Sequence, residues 1–231
     1  KKPFFGDIGI DDGKITSVGK IDRPGKEELD AKGNLVTTGW VDIQTHYDGQ
    51  VSWDPYLTPS SWLGVTTAVM GNCGVGFAPC RPEDRDVLVQ LMEGVEEIPG
   101  TALAEGIPWT WESFPDYLRA LETRQRDIDI AVFMPHGPLR VFVMGERGVN
   151  REAATPDDIV QMKGLVAEGL EAGAIGLSSS RTLLHLSSSG KNVPTFEASA
   201  NEMKALGSML KGDSGHVLQF ISDFKDAEEE F

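Results

Sequence analysis

The sequence predicts an α/β chain in which a small antiparallel β unit precedes five strand–helix units of a parallel sheet. Three observations lead there. A hairpin turn, Asp12-Gly13, joins two short alternating segments at the start. From Val36 onward, short apolar runs alternate with stretches of helical spacing, the pattern that builds a parallel sheet. No run of about 18 apolar residues interrupts that order, so no membrane span is expected.

The elements follow in turn. Gly6–Ile10 and Lys14–Val18 read as hairpin strands, and a third extended stretch near Glu28–Asp30 is expected to join them. The parallel strands fall at about Val41–His46, Thr66–Gly71, Asp129–Pro135, Ala174–Ser178 and His216–Ile221. A helix over Pro82–Gly94 opens with Pro and acids, as helix starts prefer. Phe114, Leu118 and Leu121 give Glu112–Thr123 a helical stripe. Thr155 caps a Pro-Asp-Asp start to a helix that runs to Gly173. Ser199 with Glu202 reads as a capping box for a helix ending near Lys211. Gly100–Trp111 is expected to be a long loop whose Trp109 and Trp111 serve packing. An acidic run, Asp226–Glu230, ends the sequence.

Among 231 residues the formal charge is −15. Such a surface repels phosphate backbones, so nucleic acid is not an expected partner. Two cysteines, Cys73 and Cys80, make no disulfide framework, and a reducing cytoplasm is the plain reading. The start, Lys1-Lys2-Pro3, has neither Met nor an apolar signal segment and reads as trimmed.

Candidate chemistry collects at strand ends. In Asp42-Ile-Gln-Thr-His46, alternation puts Asp42, Gln44 and His46 on one face. Polar groups on an inward face need partners, which a site at the strand tip provides; a hydrogen-bonded strand terminus is the plainer alternative. Cys73 follows the second strand between glycines. As a thiolate it could ligate zinc, and as a neutral thiol it would be a small buried hydrophobe. His46, Cys73, His136, Arg181 and Gln219 all stand at or near the carboxyl end of a strand, where α/β barrels gather functional groups.

Gly39-Trp-Val-Asp-Ile-Gln-Thr-His-Tyr-Asp-Gly-Gln50, Gly64-Val-Thr-Thr67 with Gly71-Asn-Cys-Gly74, Pro135-His-Gly-Pro-Leu-Arg140, Glu171-Ala-Gly-Ala-Ile-Gly-Leu-Ser178 and Leu218-Gln-Phe-Ile-Ser-Asp223 together resemble the N-acyl-D-amino-acid deacylase (D-aminoacylase) branch of the amidohydrolase superfamily. That resemblance implies a partial TIM-like (β/α)8 metal-dependent hydrolase barrel, about five of eight units, beside a small N-terminal β-sandwich portion. Residues 1–35 would belong to a composite β-sandwich domain and 36–231 to the barrel's N-terminal part. The implied reaction is hydrolysis of the amide of an N-acyl-D-amino acid by metal-activated water, with zinc as the metal. By position His46 and Cys73 would be metal ligands. Gln44 and Gln219 would lie near the metal, each where the family carries a ligand histidine. His185 and His216 do not obviously replace them. His136 and Arg181 would face a small-molecule substrate, the guanidinium suiting its carboxylate.

The glutamines also motivate a second class, a non-catalytic relative that binds an acidic or acylated ligand. A hydantoinase-like hydrolase of cyclic amides is a sister option, disfavoured because no barrel lysine is placed to bridge metals. The family's sixth-strand histidine and eighth-strand catalytic aspartate find no counterpart among five strands, so no catalytic residue is assigned. A full barrel takes about 250 residues, and the chain is therefore expected to be a fragment, inactive alone. Assembly as a homo-oligomer is left open.

Overall fold

A computed structural model of the protein describes residues 3–223. The chain divides into two compact units, the first ending at Thr38 and the second beginning at Gly39. The acidic run Asp226–Glu230 lies outside the described residues.

In the first unit, β1 (Asp7–Asp11) and β2 (Lys14–Gly19) pair antiparallel. Asp12 and Gly13 turn between them with φ of 46° and 72°, the left-handed pair that a tight hairpin requires. The expected third strand is absent. The acids near Glu28–Asp30 serve turns instead, Gly25 N donating to Glu28 Oε1 at 2.9 Å and Lys32 N to Asp30 Oδ1 at 2.8 Å.

The second unit holds a five-stranded sheet in the order β3 (Trp40–Asp42), β4 (Val65–Met70), β5 (Asp129–Pro135), β6 (Gly176–Arg181) and β7 (Val217–Ser222). Every neighbouring pair is parallel. Strand order equals chain order, so each crossover advances one strand along a curling sheet, as in part of a (β/α)8 barrel.

Helices fill the crossovers: α1 (Arg85–Glu96), α2 (Gly100–Gly106), α3 (Phe114–Glu122), α4 (His136–Met144), α5 (Glu146–Val149), α6 (Pro156–Glu171) and α7 (Ala200–Gly207). Ser113 caps α3, and Thr155 caps α6 as its sequence predicts, completing a capping box with Asp158. Helix α2 overturns the expected loop. Glycines at both ends disguise a Thr-Ala-Leu-Ala-Glu core of helix formers, and Leu103 anchors it in the interior. Trp111 is packed, its Nε1 donating to the Phe77 carbonyl at 2.8 Å, with the rings of Trp109 and Tyr117 tilted against it.

Two further corrections matter for the site. Strand β3 ends at Asp42, four residues before His46, because Asp42 is drawn into side-chain bonds with Ser60 Oγ (3.2 Å) and Gln44 N (3.4 Å). Ser199 caps α7, but Glu202 does not reach back to complete the box. Its carboxylate turns inward to His136 and Arg140.

Among the described residues no helix is long and apolar enough to cross a membrane.

Candidate metal centre

Strand β4 drives into the interior, its last three residues buried, and then stops abruptly. Gly71 (φ 77°) starts a tight turn through Asn72, Cys73 and Gly74. A Cβ at Gly71 would lie 2.3 Å from the Phe133 carbonyl oxygen, so only glycine passes there. Cys73 itself has φ of 56°. For a residue with a side chain that conformation costs on the order of 1 kcal/mol or more and persists only when neighbours impose it.

The neighbours are identifiable. Asn72 Nδ2 donates to the carbonyls of Thr45 and Val69, at 3.0 and 2.9 Å. Gly74 N donates to Ser178 Oγ at 3.1 Å, and that hydroxyl donates in turn to the Gly71 carbonyl. Cys73 N donates to Gln219 Oε1 at 2.9 Å. Side chains from β6 and β7 thus hold the thiol-bearing turn.

The thiol faces the chain that follows β3. Gln44 Nε2 lies 3.1 Å from Cys73 Sγ and 3.4 Å from His46 Nε2. Glu96, the last residue of α1, brings Oε1 to 3.0 Å from His46 Nε2. Ligand atoms of His46, Cys73 and Glu96 all lie within 4.8 Å of one another. Strand periodicity correctly put Gln44 and His46 together although the strand itself stops short.

Burial governs the protonation states here. It lowers the His46 pKa to about 4, assisted by nearby His185, so the imidazole is neutral at ordinary pH. Burial pushes the Cys73 thiol up to about 11 and the Glu96 carboxyl up to about 7. Behind them Asp48 is 1% exposed, and burial raises its carboxyl to about 7. Its Oδ2, like His46 Nδ1, has no hydrogen-bond partner among the described residues. A neutral imidazole, with a thiol and a carboxyl that would give up their protons on binding, forms a donor set suited to a zinc-like divalent ion.

The remaining expected site residues divide. Gln219 reaches the centre through the Cys73 backbone. Arg181 ends β6 half-buried, with Nε and Nη1 shielded from solvent and without partners among the described residues. His136 begins α4 fully buried, with Nδ1 2.9 Å from Ser179 Oγ and Nε2 2.9 Å from Glu202 Oε1. Arg140 joins the same carboxylate at 2.5 Å. With both ring nitrogens engaged inside the protein, His136 offers nothing to a substrate in this structure.

Sequence reasoning missed Glu96, Asp48, Arg140 and Glu202. Asp48 was visible within the His46-Tyr-Asp48 run. The Ser178-Ser-Ser180 tract, all buried in a strand, is the signal for the polar network around His136. Glu96 left no signal, since nothing local shows where a helix end will land.

Similarity to known proteins agrees with this architecture. The profile described as "Amidohydrolase family" matches residues 27–231. The N-acyl-D-aspartate deacylase of Alcaligenes xylosoxydans xylosoxydans is 33% identical over 178 residues, 75% of this chain and 32% of the enzyme. A D-aminoacylase crystal structure superposes with TM-score 0.66 at 29% identity, covering 88% of this chain and 38% of the other. The N-acyl-D-glutamate deacylase of Bordetella bronchiseptica, solved with zinc and a phosphonate inhibitor that mimics the tetrahedral intermediate, gives TM-score 0.70 at 25% identity, covering 92% and 40%. The chain thus spans about a third of the length of the curated relative, and less than half of either solved structure. With a family match across most of its length and the matching part-barrel, this chain belongs to the amidohydrolase family.

Proposed function

We propose that the protein containing this chain hydrolyses the amide of N-acyl-D-amino acids with water activated by a bound divalent metal, zinc. One observation carries the reading: the ligand atoms of His46, Cys73 and Glu96 converge within 4.8 Å beside the carboxyl ends of neighbouring parallel strands. These three residues would hold the ion. When bound there, it supplies Lewis-acid polarisation of the substrate carbonyl and lowers the pKa of water.

The chain's own residues do the rest that can be assigned. Neutral His46 is already in the form that binds metal. The Gln44 amide stabilises negative charge on Cys73 Sγ by hydrogen bonding, and Gln219 and Ser178 fix the turn that aims it. Arg181, with shielded and unpartnered N–H groups, is suited to clamp the substrate carboxylate. No residue of this chain is assigned to protonate the departing nitrogen. His136 has no substrate role in this reading.

The substrate class comes from the relatives named above, and the partner is a small molecule. Residues 1–35 are read as part of a composite β-sandwich domain, 36–231 as part of the barrel, and the compartment as cytoplasmic.

The test uses the intact protein with N-acetyl-D- and N-acetyl-L-amino acids. Acetate release from the D series alone, lost in Cys73→Ala, is the expected result. A second reading, a binding protein without turnover, is favoured by Gln44 and Gln219 standing where the family has histidines. Metal bound without release from either series would select it.

A further inference from the structure

The carboxyl group at the end of α1 stands where no sequence signal places a donor. Glu96 Oε1 is 3.0 Å from His46 Nε2, and the two share the vicinity of Cys73 Sγ. Tetrahedral zinc with bonds of roughly 2.0–2.3 Å needs donors about 3.5 Å apart. A spacing of at most 4.8 Å is within a small side-chain rotation of that.

The helix end is also held in place. A Cβ at Gly94 would lie 2.2 Å from the Ser187 carbonyl carbon, so the loop after β6 packs directly on the helix backbone two residues before Glu96. Ser188 N donates to the Gln90 carbonyl at 2.9 Å, one turn earlier. Glu96 therefore projects from a fixed platform.

A carboxylate at a helix C-terminus opposes the helix dipole. Asp48, buried and with Oδ2 unpartnered among the described residues, lies close enough to act on both Glu96 and Cys73. No lysine or arginine is ion-paired to Glu96 among the described residues, and its short contact at 3.0 Å is to the neutral imidazole of His46. A carboxyl and a thiol beside one imidazole are the donor types a zinc-like cation takes.

Gln219 behaves differently. Its Oε1 accepts from the Cys73 backbone N–H at 2.9 Å, so the side chain grips the turn. It occupies the position where a strand-five donor was expected, and it engages Cys73 at both the backbone N–H and the thiol.

We infer that Glu96 is the third protein ligand of a single-ion site, joining His46 and Cys73, while Gln219 is a positioning residue that sets the Cys73 turn and stays off the ion. The inference rests on the proposed metal-dependent function and deepens it. Among the described residues an imidazole, a thiolate and a carboxylate would supply three donors of the types catalytic zinc takes.

Cobalt(II) absorption in the intact, metal-stripped protein tests this without any turnover. Wild type should take one cobalt per chain, with a thiolate-to-cobalt charge-transfer band and d–d bands. Glu96→Gln should change the d–d envelope and weaken binding by more than the roughly 100-fold ceiling of an outer-shell change. Glu96→Asp should recover part of the affinity and spectrum. Gln219→Ala should weaken binding by roughly 10- to 100-fold but keep the wild-type d–d envelope, the signature of a positioning role.

Wild-type affinity and spectrum in Glu96→Gln, or a d–d envelope altered by Gln219→Ala, would overturn the assignment. If Cys73→Ala loses the charge-transfer band while Glu96→Gln changes nothing, this inference fails and the proposed function stands. A wild-type protein that takes no cobalt removes both.

Discussion

Two histidines in this molecule follow parallel strands, and each meets a glutamate delivered by a helix. His46 meets Glu96 of α1 at 3.0 Å, and His136 meets Glu202 of α7 at 2.9 Å. Their surroundings separate them. His136 and Glu202 are 0% and 1% exposed, and Arg140 and Ser179 take up the remaining bonding capacity. His46 and Glu96 are 12% and 24% exposed, beside a thiol and with Nδ1 unpartnered. A sealed cluster holds a fold together. An accessible cluster with donors to spare can hold something else. Residue types match in the two cases, so exposure is what tells them apart.

That contrast can be broken first at the sealed cluster. Glu202→Ala strands the Arg140 guanidinium and His136 in the interior, and removing one partner of a buried pair costs about 3–5 kcal/mol. Urea unfolding of the variant should show that loss. A cost below about 1 kcal/mol would mean that the cluster is not structural.

Next in size is the turn that presents the thiol. Gly71→Ala forces a Cβ to within 2.3 Å of the Phe133 oxygen at a φ of 77°. Strain of this kind is on the order of 1–3 kcal/mol, and it should lower the melting temperature and metal affinity together. Retained affinity in a destabilised protein would separate the turn from the site.

A smaller effect of about 1 kcal/mol is expected for Thr155→Ala, which removes the α6 cap far from either histidine. Its partner Asp158 gives the corresponding pH dependence. Hydrogen bonds from Arg147 and Thr155 hold that carboxylate down to about 2, against 3.8 for an ordinary aspartate. A folded pKa depressed below the unfolded value stabilises above the unfolded pKa. Its contribution is therefore complete above about pH 4 and lost as pH falls toward 2. Asp158→Asn should flatten that part of the melting curve against pH.

The smallest stability effect belongs to His46→Ala. It should change metal-free stability by less than about 1 kcal/mol, since the imidazole's contacts are to Glu96 and Gln44, which can turn to water. Its whole consequence should appear in metal binding. A large loss of metal-free stability would make His46 a second structural histidine and erase the comparison.

The sequence carried the sheet well, because short apolar runs between capped helices have few other readings. It also carried Gln44, His46 and Cys73, whose convergence follows from strand tips meeting at one end of a parallel sheet. What it could not carry was the third dimension of the helices. Glu96 arrives from the far end of α1, and the Ser187 backbone against Gly94 decides where it lands. Glu202 looked like a cap because Ser199 stands three residues before it, yet the desolvated Arg140 claims its carboxylate. His136 looked like a site residue for the same reason as His46. Only burial, which depends on the packing of α4 and α7, sets them apart.

Zinc K-edge absorption of the intact protein is the most direct test of the metal centre. The account predicts about one zinc per chain, with one sulfur neighbour near 2.3 Å and nitrogen or oxygen neighbours near 2.0–2.1 Å. The sulfur shell should vanish in Cys73→Ala. A zinc bound with no sulfur neighbour, or a protein that holds none, would contradict it.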